Sequence, residues 1–159
     1  MAKDYETIPE KLARFAMDQK IFFIATAMEG DDVNLSPKGV APLKVIDEKT
    51  VLYADYHGSG NKTAEHLQSG GKATLMFTSF EEEPLILRFF CHGRTVARTS
   101  EEFGRLAQER YPELDQSRLR QLFIFDVYRV QRSCGYGTPL MEYVSDRSSE
   151  KYFKELWGD

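Results

Sequence analysis

The sequence predicts a mainly β domain, an antiparallel barrel with flanking helices, on three observations. About seven strand-like runs alternate with turn-rich segments. Most joins have hairpin length rather than the length of a helical crossover, which argues against a doubly wound sheet. Aromatic residues make up 13% of the 159 positions, with 11 Phe and 8 Tyr, and such rings favour strands. A chain of this size fits one domain, 1–159, and buries roughly 68–70% of its unfolded surface without metal or disulfide staples.

Each element has a local reason. Thr7-Ile8-Pro9-Glu10 reads as a capping box, with Thr7 as cap, opening a helix over about 8–18 that turns Leu12, Phe15 and Ala16 inward. Residues 21–28 are a continuous apolar run of strand length. Glu29-Gly30-Asp31-Asp32 is a hairpin signal, and residues 33–36 form the returning strand. Residues 43–46 and 51–56 make a second pair around the turn at 47–50. Asn61 is placed to cap a helix running to about Gln68 and ended by Gly70-Gly71. Strands over 73–80 and 85–98 flank the solvated turn Glu81-Glu82-Glu83-Pro84. Thr99 with Glu102 suggests another capping box, its helix carrying Phe103, Leu106 and Ala107 and stopping at Pro112. A last strand covers 122–130, and Ser148 or Ser149 caps a terminal helix over about 149–157 with Phe153, Leu156 and Trp157.

Composition narrows the function. A formal net charge of -4 argues against a nucleic-acid partner. No apolar run approaches the roughly 20 residues that span a bilayer, and residues 1–19 lack an apolar signal core, so the expected location is cytoplasmic with no membrane partner. Cys91 and Cys134, without metal spacing, fit reduced thiols or a single bridge. His57, His66 and His92 have no metal-ligand spacing, so no metal is expected.

The chemistry gathers in two segments, Asn34-Leu35-Ser36-Pro37-Lys38-Gly39 and Gly58-Ser59-Gly60-Asn61-Lys62-Thr63. Each follows a strand-like run and collects glycine, hydroxyls and a lysine. Glycine lets a backbone approach closely, hydroxyls and amides donate, and the helix after the second segment points its positive end at the loop. The pair suits a phosphorylated ligand such as a nucleotide or flavin. It also suits two ordinary turns, the second with a helix cap. The nucleotide-kinase phosphate loop is excluded, because its two glycines would fall at Tyr56 and Asn61. Lys44 is a further phosphate candidate or a surface lysine. Ser133-Cys134-Gly135-Tyr136-Gly137-Thr138-Pro139 forms a tight loop that presents a ring and bare amides, or simply ends the last strand. No nucleophile and base pair stands out, so the catalytic residues are unassigned.

At FFIATA (22–27), NLSPKG (34–39), VLYADYHGSGNKTAEHL (51–67), LMFTSF (75–80) and RVQRSCGYGTP (129–139) the chain resembles the pyridoxamine 5′-phosphate oxidase-like family of FMN-binding split-barrel proteins. The order and spacing of these pieces carry the resemblance. It implies a six-stranded antiparallel Greek-key split β-barrel, working as a homodimer with FMN in a groove at the interface. It further implies that the strand around Lys44 and the loop Ser59, Gly60, Asn61, Lys62 and Thr63 hold the phosphate and ribityl chain, with Asp55 a further cofactor-binding position. Asn34, Ser36, Pro37, Lys38 and Gly39 lie along the ring, and Ser133, Cys134, Gly135 and Tyr136 close the site from the partner chain.

The implied activity is an FMN-dependent oxidoreductase that moves electrons between a reduced nicotinamide or small substrate and the flavin. The alternatives are a non-catalytic flavin- or haem-binding protein and a deazaflavin-dependent reductase. Vitamin B6 oxidation itself is not expected, because residues 147–159 lack the arginine- and histidine-bearing end of the true oxidases.

Overall fold

The architecture follows from where the chain hides its aromatic rings. The computed structural model describes residues 2–58, 60–147 and 154. In chain order the elements are β1 (Lys3–Tyr5), α1 (Glu10–Asp18), β2 (Ile21–Ala27), β3 (Asn34–Gly39), β4 (Leu43–Val45), β5 (Thr50–Tyr56), α2 (Lys62–Gln68), β6 (Lys72–Thr78), β7 (Leu85–Ala97), α3 (Glu101–Arg110), a 3-10 turn (Gln116–Arg118) and β8 (Leu119–Cys134). The strands pair antiparallel in one curled sheet, ordered β3-β2-β6-β7-β8-β5-β4, with β1 added on β8. The mainly β, antiparallel expectation holds. The strand count is eight rather than six or seven. The strand missed from sequence is β1, three residues too short to show a period.

The curl is visible in ring contacts. Phe22 of β2 stacks on Phe77 of β6 at 5.4 Å between centroids and meets Tyr53 of β5 edge-on at 5.5 Å. Three strands separate β2 from β5 in the sheet, so only a sheet bent back on itself brings Phe22 to Tyr53. Phe89, Phe123 and Phe125 complete this interior. Burying each such side chain stabilises the fold by roughly 1.5–3 kcal/mol. A second apolar cluster lies where α3 sets Phe103, Leu106 and Ala107 against Leu52, Ala54, Val96 and Leu122. That explains the unbroken apolar run of β5. Val51 and Tyr53 face the barrel, while Leu52 and Ala54 face α3.

Among the described residues the ends of the sheet path, β3 and β4, do not pair with each other. The barrel is therefore split along one side.

Several local expectations move. Pro9, not Thr7, holds the cap position of α1 and makes no side-chain cap bond, while Ile8 N–H donates to Glu48 O at 2.7 Å. The second box shifts by one residue, with Ser100 Oγ accepting from Phe103 N–H at 3.2 Å. Asn61 makes no cap bond, because its side chain is used elsewhere. Residues 36–39 are strand rather than turn, with Pro37 opposite Phe23. An edge strand tolerates proline because its outward side needs no ladder donor. β8 extends past the expected 122–130 at both ends, which puts Ser133 and Cys134 in a strand rather than a loop. The expected helix over about 149–157 lies outside the described residues.

Two glycines test this packing. A Cβ on Gly71 would lie 2.6 Å from the backbone oxygens of Ala27 and His66, whereas Gly104 in α3 faces open space. Gly71→Ala should therefore cost about 1–3 kcal/mol, from the overpacking, and Gly104→Ala should add roughly 0.5–1 kcal/mol, from helix propensity. Urea unfolding midpoints check both, and a Gly71→Ala variant as stable as wild type would contradict the close approach.

Candidate functional site

The split opens a cleft of about 370 Å³ between β3, the loop before α2 and the start of β8. Strand alternation supplies one wall. Asn34, Ser36 and Lys38 turn toward the cleft, while Leu35 between them is exposed. Gly60, Asn61, Lys62 and Thr63 supply the opposite lip, and Asp55, Arg120 and Phe123 the floor.

Asp55 organises this floor. It is 2% exposed and sits where a register shift between Asp55 and Tyr56 interrupts the β5–β8 ladder. Its Oδ2 accepts from Arg120 Nη2 at 2.7 Å, Arg120 Nε at 3.1 Å and Gln121 Nε2 at 2.9 Å. Lys38 Nζ lies 3.4 Å from Oδ1. A carboxylate this deep is tolerable only when paired and hydrogen-bonded, and here two cations and an amide surround it. Arg120 also donates to Gly58 O at 3.3 Å and Gly60 O at 2.9 Å, and Gln121 donates to Asn61 Oδ1 at 2.9 Å. The start of β8 thereby sets the shape of the loop. It also occupies the Asn61 side chain that the sequence assigned to a helix cap.

Lys62 Nζ donates to Asp31 Oδ2 at 2.6 Å and lies 3.3 Å from Glu65. This ammonium, the Asp32 N–H and the His66 ring hold the Asp31 carboxyl at about 2, well below its ordinary 3.8.

The structure thus brings Asn34, Ser36, Pro37, Lys38, Asp55, Gly60, Asn61, Lys62 and Thr63 to one cleft. Gly39 ends β3 outside it. Lys44 is not brought there. It pairs with Glu113 at 2.7 Å and lies 5.0 Å over the Tyr111 ring, because β4 turns its side chain toward the segment after α3. Ser59 lies outside the described residues. Ser133 accepts from Arg88 at 3.0 Å, and the Gly135 N–H donates to Pro84 O at 2.9 Å. Cys134 and Tyr136 are exposed, and Gly135 and Tyr136 line a separate hollow with Pro84. Within one chain, Ser133 to Tyr136 do not line the cleft.

Sequence reasoning missed Arg120 and Phe123. The available signal was Asp55 itself, a charge in the apolar run VLYADY that demands a cationic partner.

A model of the pyridoxamine 5′-phosphate oxidase family matches residues 8–134, most of the chain. The chain belongs to this family. A family relative, the pyridoxamine 5′-phosphate oxidase family protein ustO of Aspergillus flavus, is 34% identical over 145 residues. That alignment covers 89% of this chain and 58% of the relative, so the chain spans little more than half of that protein's length. An FMN-binding protein from Syntrophomonas wolfei shares the fold at 18% identity and a TM-score of 0.55, over 74% of this chain and 81% of its own. The FAD binding protein from Mycobacterium smegmatis does so at 12% identity and a TM-score of 0.53, over 81% of this chain and 97% of its own.

In this family member the Asp31–Lys62 pair has an acid signature. A carboxyl depressed in the folded state adds stability that is complete above 3.8 and lost as pH falls through about 2. Urea midpoints compared down this window should fall more steeply for wild type than for Asp31→Asn. Parallel curves would show that the pair does not hold the carboxyl down.

Proposed function

We propose that this chain is an FMN-dependent oxidoreductase acting on a small organic substrate, and that it works as a homodimer with the flavin between subunits. The observation that carries the reading is the cleft's charge pattern: among the described residues Lys38, Lys62 and Arg120 line it with Asp55, while Asp31 and Glu65 partner Lys62 at the rim. The cleft also fits a cofactor in size, since such sites run from about 300 to 1,000 Å³. A flavin phosphate carries about −1.5 to −2 charges, which charge-assisted donors offset.

Arg120, Lys62 and the loop from Gly60 to Thr63 would hold the phosphate. Arg120 takes the place that the sequence gave to Lys44, and its guanidinium is suited to a tetrahedral oxyanion. Asn34, Ser36 and Lys38 would meet the polar edge of the ring, with Pro37 and Phe123 supplying apolar surface. Held there, a flavin would supply two-electron chemistry between a reduced nicotinamide and the substrate. The chain's own task is then to bind, orient and exclude water, which needs no nucleophile and base pair. The family match and the FMN-binding neighbour of the same fold support this reading.

FMN titration followed by flavin fluorescence tests it. Wild type should bind saturably, and Lys62→Ala and Arg120→Lys should each weaken binding by about tenfold or more, as expected for charged hydrogen bonds. The lysine replacement keeps a cation beside Asp55 but loses the bonds to Gly58 O and Gly60 O, so its urea midpoint is compared with wild type beside the affinity. Added reduced nicotinamide should bleach the bound flavin, and an acceptor should restore its colour. Unchanged affinity in both variants would remove the phosphate assignment. Tighter binding of FAD would replace FMN, and a bound flavin inert to reductants would leave a carrier rather than an enzyme.

A further inference from the structure

From the cleft wall a chain of polar side chains runs inward to two buried residues, Thr26 and His66, that do not touch the cleft. His66, fully buried on α2, places Nδ1 3.0 Å from Thr26 Oγ1 and Nε2 3.3 Å from Asp31 Oδ2. Thr26 is itself 1% exposed. Its Oγ1 lies 3.1 Å from Asn34 Nδ2, which also lies 3.2 Å from Thr63 Oγ1. On the other end of that amide, Ser36 Oγ donates to Asn34 Oδ1 at 3.2 Å. Asn34, Ser36 and Thr63 line the cleft, whereas Thr26 and His66 do not.

Judged by its own three neighbours, the Asn34 amide could face either way. Turned over, it would accept from the two threonine hydroxyls and donate to Ser36, since every hydroxyl can play both roles. The deciding constraint comes from outside the cleft. Asp31, paired with Lys62, is ionised and can only accept, so the His66 nitrogen facing it carries a proton. In the neutral ring Nδ1 is then a bare acceptor and takes the Thr26 hydroxyl proton. That leaves Thr26 Oγ1 only lone pairs for Asn34. The amide must present Nδ2 to the threonines and Oδ1 to Ser36.

We propose that His66 is a positioning residue: acting through Thr26, it locks the Asn34 amide so that the cleft offers a carbonyl acceptor and favours ligands with an N–H or O–H donor at that point. The ligand half of this statement rests on the reading of the cleft as a cofactor site. The orientation of the amide does not.

Two measurements separate the halves. Long-range 1H–15N spectra of the ligand-free protein should show His66 protonated at Nε2 with Nδ1 bare, and Asn34 side-chain amide protons protected from exchange. A proton on Nδ1, whether in the neutral ring or in an imidazolium, or freely exchanging Asn34 amide protons, would overturn the proposal whether or not any flavin binds. Thr26→Val removes the hydroxyl at nearly constant shape, and Thr26→Ser keeps it. With FMN as the probe, Thr26→Val should weaken binding by about tenfold, the worth of one hydrogen bond, while Thr26→Ser stays within about twofold of wild type. Equal affinities in all three proteins would overturn the selective role of the amide. Failure of wild type to bind FMN would count against the function proposed above, and the spectra would still decide the orientation.

Discussion

The Asp55 carboxylate is the constraint on which the rest of the site depends. It sits at 2% exposure on β5 and draws Arg120 and Gln121 from β8 and Lys38 from β3. Those strands belong to opposite ends of the sheet path. Besides its ladder with β2 and the Asn34–Thr63 hydrogen bond to α2, β3 is tied across the split by this ion pair. The desolvation penalty of one buried charge thus does structural work: it recruits partners from both lips and fixes their separation.

The same cluster holds Gly58 and residues 60–61 in place although the Asn61 side chain makes no cap bond. Two of the loop's carbonyls accept from Arg120, and Gln121 holds Asn61. These bonds come from a strand about sixty residues further along the chain. The helix that follows, seven residues long, is anchored from beneath, where the Leu67 side chain packs over Gly93 of β7, within 2.7 Å of where a Cβ would stand. A preorganised loop over a packed helix binds a ligand with less ordering cost than a free one.

Charge in the cleft is layered. Nearest the floor, Asp55 neutralises part of the cationic set. At the rim, Asp31 and Glu65 partner Lys62, and Asp31 continues through His66 to Thr26 and Asn34. Each cation is therefore held by a carboxylate before any ligand arrives, and a phosphate would compete with these partners. The Asn34 amide, by contrast, lines the cleft with its orientation decided by the buried Thr26 and His66.

Much of the fold was legible because its signals are local. The apolar run of β2, the hairpin signal at Gly30, the turn at residues 47–50 and the alternating strands β6 and β7 all follow from neighbouring residues, as does the mainly β class. The two glycine-lysine segments were legible as candidates for the same reason, since their chemistry is contiguous. What the sequence left open is long-range. Pro37 could be recognised as strand only by knowing that β3 is an edge. Lys44 and Arg120 are both cations near strand ends, and only the curl of the sheet sends one to Glu113 and the other to Asp55. The amide of Asn34 takes its orientation from Asp31 through two intermediates on β2 and α2. Sequence periodicity records which face a residue occupies, but a three-dimensional closure decides which faces meet.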